Sequence, residues 1–165
     1  MYITGAWLFN ALDGDNLDAV EQEARSLDLC LSHASPFGGF HYHSWTPCLK
    51  SQWTGSKTDA PGLCKDEAQC TSDWESLVLE NAFFSKAQNG GILGIAKDGH
   101  LLIGPWNDNG QSWGCNEHDI CNGRFDSNGN YQYVATGTFP YHLGCWGPAA
   151  QQEYRASCSS SSCGT

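Results

Sequence analysis

Apolar and polar positions along this chain follow two periods, and each predicts a different kind of element. From Leu17 to Leu27, Val20, Ala24 and Leu27 recur at helical spacing. The spacing predicts a short helix capped by Asp15 or Asn16. A second helical pattern lies around Trp74 to Phe84 and ends at Asn89-Gly90-Gly91. Beyond it, Ile92-Leu93-Gly94-Ile95-Ala96-Lys97 and His100-Leu101-Leu102-Ile103 flank Asp98-Gly99. Two apolar runs around Asp-Gly predict a β-hairpin with a type I′ turn, both turn residues at positive φ. Phe40-His41-Tyr42-His43 reads as a strand, with His41 and His43 on one face and Phe40 and Tyr42 on the other. The remainder is short strands and Gly/Asn turns. The expected fold is therefore mainly β with a few short helices.

Sliding the chain 91 residues along itself aligns Asp28-Leu29-Cys30 with Asp119-Ile120-Cys121 and Gly38 with Gly129. The same register sets Phe40-His41-Tyr42-His43 on Tyr131-Gln132-Tyr133-Val134. This predicts an internal pseudo-repeat of loop, cysteine, turn and aromatic strand. The second copy lacks both histidines.

Composition narrows the class. Eight basic against eighteen acidic residues leave a net charge of −10, which argues against a nucleic-acid binder needing clustered Lys and Arg. No apolar run approaches the ~18 residues of a membrane span. The nine cysteines, at 30, 48, 64, 70, 115, 121, 145, 158 and 163, include no Cys-x-x-Cys pair. That spacing argues for a disulfide framework in an oxidising, extracellular compartment rather than a zinc-thiolate site. Nine is odd, so at least one thiol is expected to be free or joined to another chain. The opening Met1–Trp7 lacks the basic n-region of a signal peptide. The expectation is either a leader already removed or numbering that begins inside a longer gene.

Several ordered motifs resemble the YHYH-domain family. They are Leu8-Phe9-Asn10-Ala11-Leu12-Asp13 to Asp18-Ala19-Val20-Glu21, then Phe40-His41-Tyr42-His43 and the hairpin ending Ile103-Gly104-Pro105. Asp119-Ile120-Cys121-Asn122-Gly123-Arg124 and Phe139-Pro140-Tyr141-His142-Leu143-Gly144-Cys145 follow. The resemblance runs from about residue 5 to residue 147 and implies a secreted or surface-exposed β-rich domain with no established reaction. The chain departs from the family where Phe40 replaces the first Tyr and where Gln132 and Val134 replace the second pair of histidines. Residues 1–155 form the expected domain, and 156–165 a Ser/Cys-rich tail.

The sharpest candidate chemistry is metal binding. Two imidazoles on one strand face can chelate copper or zinc, with a third ligand from His33, His100, His118 or His142. The bland alternative is that these histidines satisfy buried carbonyls and hydroxyls. Calcium is not expected. Asp13-Gly14-Asp15-Asn16-Leu17-Asp18 and Asp126-Ser127-Asn128-Gly129-Asn130 concentrate oxygen ligands, but neither completes an EF-hand loop, and Asx turns give the same composition. Gly110-Gln111-Ser112-Trp113-Gly114 matches a hydrolase elbow but lacks the flanking strand and helix. Among seven tryptophans, Trp106 and Trp113 sit in a polar loop and are the expected exposed platforms for a glycan or an interface.

The leading expectation is a non-enzymatic extracellular structural module that requires no cofactor and self-associates, head to tail, into a filament or surface matrix. Low charge, many aromatic rings and an odd cysteine count motivate it. The alternatives are a copper- or zinc-binding or redox protein centred on the His-Tyr-His strand, and a module binding glycans or a cell-surface matrix.

Overall fold

One five-residue turn recurs through the molecule and sets where its short strands begin and end. The computed structural model describes residues 1–2, 5–28, 30–46 and 91–149. Within them the turn occurs at 13–17, 28–32, 35–39, 96–100, 107–111, 119–123 and 126–130. In each case the first N–H donates to the fifth carbonyl, and the fourth N–H donates back to the first carbonyl. The fourth residue has positive φ: Gly38, Gly99, Gly110 and Gly129, or Asn16, Leu31 and Asn122. Where an Asp or Asn leads the turn, its Oδ1 also accepts the N–H groups two and four residues on, as at Asp13, Asp28, Asn107, Asp119 and Asp126. This is Asx-turn chemistry.

The turn corrects two expectations. Between β4 (Ile92–Ile95) and β5 (Leu101–Ile103) the loop is not type I′. Ala96 opens it, neither Lys97 nor Asp98 is at positive φ, and only Gly99 (φ 91°) is left-handed, the pattern of a three-residue loop closed by a glycine bulge. Asp98 is held there because its carboxylate accepts from the His100 N–H and the Tyr133 hydroxyl. The first helix is also shorter than expected, because the 13–17 turn consumes its proposed start. Asp18, not Asp15 or Asn16, caps α1 (Ala19–Glu23), accepting from Val20 and Glu21 N–H at 2.9 and 3.3 Å. A 3-10 turn, Ala24–Ser26, follows. Val20, Ala24 and Leu27 are buried as their spacing predicts.

Among the described residues the fold is mainly β, in two sheets. β1 (Trp7–Leu8) runs parallel to β3 (Phe40–Tyr42), which pairs antiparallel with β2 (Ser32–Ala34). In the larger sheet the order is β4-β5-β7-β6, with β5 parallel to β7 (Tyr131–Val134) and β6 (Gly123–Phe125) antiparallel to it. His33 stands opposite His41 in the first hairpin, and Arg124 stands opposite Gln132 in the second.

A core of Tyr2, Leu31, Trp45, Leu93, Leu102, Tyr131 and Tyr133 packs beside Cys121. Trp45 ties the two halves of the chain together, its indole N–H donating to Thr136 O at 3.0 Å. A second cluster, Ala11, Val20, Leu27 and Tyr141, seats α1. Burial raises the Tyr133 pKa to about 12, with the Asp98 hydrogen bond adding to it. Cys121 is bonded to Cys145, and Cys30 and Cys115 are also disulfide-bonded. Cys48, Cys64, Cys70, Cys158 and Cys163, the helix expected around 74–84 and the 156–165 tail lie outside the described residues. No helix among the described residues is long and apolar enough to cross a membrane.

Candidate metal centre

The 35–39 turn builds the centre. Pro36 supplies a φ suited to a turn's second position and Gly38 (φ 89°) the left-handed one. The resulting register places His33 across from His41, and strand alternation puts His43 on the same face. All three imidazoles are buried, at 8, 5 and 5% exposure. Their Nε2 atoms converge, at 3.0 Å between His33 and His41 and 2.9 Å between His41 and His43.

The Nδ1 atoms face outward to fixed acceptors. His43 Nδ1 lies 2.7 Å from Asn10 O, and His41 Nδ1 lies 3.3 Å from Gly39 O. A carbonyl can only accept, so both Nδ1 atoms carry the proton. His33 Nδ1 lies 2.8 Å from Ser26 Oγ, whose own proton goes to Glu23 O at 2.8 Å, so Ser26 accepts as well. With Nδ1–H committed three times, each neutral ring turns a bare Nε2 lone pair inward. Lone pairs about 3 Å apart, between His33 and His41 and between His41 and His43, repel unless a cation sits among them. Desolvation, the largest influence, lowers the His33 pKa and disfavours a proton as that cation. Outward hydrogen bonds of this kind orient metal-ligating imidazoles.

Glu23, at the end of α1, reaches the same point. Its Oε2 lies 3.2 Å from His33 Nε2 and 3.4 Å from His43 Nε2. That oxygen is buried and has no hydrogen-bond partner. Tyr141 positions the helix, packing on Val20 and donating its hydroxyl to Asp18 Oδ2. Phe9 stacks on His41 with ring centroids 4.5 Å apart.

His33, His41 and His43 thus come together, and His142 does not. Its Nε2 donates to His43 O (3.0 Å), and its Nδ1 accepts the Leu143 N–H (2.6 Å). Both nitrogens are spent buttressing the His43 backbone, and burial pushes its pKa down to about 4. His118 is buried with Nδ1 on Asp119 O, and His100 stands edge-on to Tyr131. Trp106 and Trp113 also correct the sequence reading, at 5 and 9% exposure. Their loop is polar because Asn107 caps its own turn, while Trp113 points inward to donate to Gly104 O and carries Arg124 over its ring. Among the described residues, Trp7 and Trp146 are the exposed indoles instead. Ser112 of the elbow-like motif bridges Trp106 in a turn region. Glu23 was missed from sequence, although it flanks the buried Val20–Ala24 stripe. Comparison with protein-family models, curated proteins and solved structures finds no match to this chain.

Proposed function

We propose that this chain is an extracellular metal-binding module that holds one copper or zinc ion through His33, His41 and His43. One observation carries the reading: three buried Nε2 atoms converge while every Nδ1–H is held by an outward acceptor. Disulfide bonding at Cys30, Cys115, Cys121 and Cys145 supports an oxidising compartment. So does the motif order resembling the YHYH-domain family. The second hairpin carries Arg124 and Gln132 at the paired positions, so the proposal is one site per chain. Isothermal titration of copper(II) or zinc(II) into the disulfide-intact protein tests it. One equivalent binds the wild type and the Gln132→Ala variant, and none binds His41→Ala/His43→Ala. Undiminished stoichiometric binding by the double variant removes these residues as ligands.

Self-association is the second reading, favoured by the large aromatic side chains exposed around the small sheet: Trp7 at 60%, Phe37 at 98% and Phe40 at 62%. Light scattering at high protein concentration tests it, and a monomer throughout refutes it.

A further inference from the structure

We infer that Glu23 is the fourth donor of the centre and that the resulting three-nitrogen, one-oxygen set is tetragonal, which selects copper(II) over zinc. This rests on the three-histidine reading above. The donor atoms form a closed quadrilateral. Its sides are His33 Nε2 to His41 Nε2 at 3.0 Å and His41 Nε2 to His43 Nε2 at 2.9 Å. Glu23 Oε2 closes it, 3.4 Å from His43 and 3.2 Å from His33. Among the described residues the ion-pair contacts of Glu23 are to the two flanking imidazoles, His33 and His43, with none to His41.

A square with sides of about 3.1 Å has its centre about 2.2 Å from each corner, close to the metal–donor distances of imidazole and carboxylate ligands. In a tetrahedron of such bonds every donor pair is adjacent, at about 3.6 Å, so no donor stands opposite another. A four-sided N,O arrangement is the preference of copper(II), whereas zinc takes the tetrahedral one.

The carboxylate oxygen fits a metal better than it fits the neutral imidazoles beside it. Glu23 Oε2 is buried without a hydrogen-bond donor, and the imidazoles beside it offer lone pairs rather than N–H groups while their Nδ1 atoms hold the protons. A buried carboxylate oxygen facing lone pairs is repelled by them. A dication at the centre turns all four repulsions into bonds and takes one negative charge from Glu23. It also ties α1 to the β2–β3 hairpin, so the metal links elements that the chain itself joins through the 28–32 turn.

Two probes separate this inference from the reading beneath it. The first is the electron paramagnetic resonance spectrum and affinity of the copper(II)-loaded protein and of Glu23→Gln. The wild type gives an axial, tetragonal spectrum with nitrogen superhyperfine structure. Glu23→Gln shifts g∥ and binds copper tenfold or more weakly, while its metal-free melting temperature does not fall below that of the wild type. The second is the visible spectrum of the cobalt(II)-loaded wild type, which lacks the intense band of a tetrahedral ion. An unchanged spectrum and affinity in Glu23→Gln, or an intense tetrahedral cobalt band, overturns the inference and leaves the three-histidine site standing. A wild type that binds no copper overturns the site itself.

Discussion

Replacing Asp18 with Ala removes two interactions from one carboxylate. Oδ1 caps α1 through the Val20 and Glu21 N–H groups, and Oδ2 accepts the Tyr141 hydroxyl. Loss of an N-cap costs about 1 kcal/mol. The bond from Tyr141, itself 1% exposed, is lost with Oδ2, which costs about 1 kcal/mol more. The expected destabilisation is about 2 kcal/mol, or roughly 4–8 °C in melting temperature for a chain of this size. Thermal denaturation followed by circular dichroism, metal-free and with disulfides intact, reads it. Tyr141→Phe removes the shared bond alone and costs about 1 kcal/mol. The double variant therefore loses less than the sum of the two. Because α1 carries Glu23, Asp18→Ala also weakens copper binding. A melting temperature within about 2 °C of wild type refutes the proposed seating of the helix.

Other expectations follow from single side chains. His142 has a folded pKa of about 4, below its ordinary 6.5, so the unfolded chain takes the proton first. Stability present above pH 6.5 is thus lost as pH falls toward 4, by up to about 3 kcal/mol, and urea midpoints across that range show a smaller loss in His142→Gln. A Cβ added at Gly123 would lie 1.8 Å from the Tyr131 hydroxyl. Gly123→Ala therefore costs at least about 2 kcal/mol in denaturant unfolding, and a neutral result means the Tyr131 ring is placed wrongly. Gly99 has open space around it but φ 91°, so Gly99→Val costs about 1–3 kcal/mol through backbone strain, and an unchanged melt refutes the turn.

Local periodicity carried part of this site and chain-distant packing carried the rest. His41 and His43 share a face because alternation is a property of a strand by itself. His33 stood among four candidate third ligands, and the choice between them depends on the pairing of Ser32 with Tyr42 and His33 with His41. The 35–39 turn sets that register, and its Pro-x-Gly chemistry was readable. Glu23 was not, since its approach depends on Tyr141 holding α1 from 123 residues away. Trp106 and Trp113 differ from the sequence expectation because polar neighbours do not by themselves signal exposure. Those neighbours serve their own backbone turn, and the rings fill the space beneath it. The β-rich class followed from dense Gly, Asn and Asp turn residues, whereas the exact strand ends follow from turns whose left-handed position is Asn or Leu as readily as Gly.

The central claim is that the three imidazoles hold a metal ion rather than one another. Metal analysis after incubation with one equivalent each of copper(II) and zinc(II), followed by gel filtration, tests it most directly. Close to one copper per chain is expected in the wild type and none in His41→Ala/His43→Ala. A wild type that emerges without metal would contradict it and leave the histidines as a hydrogen-bonded cluster sharing a proton.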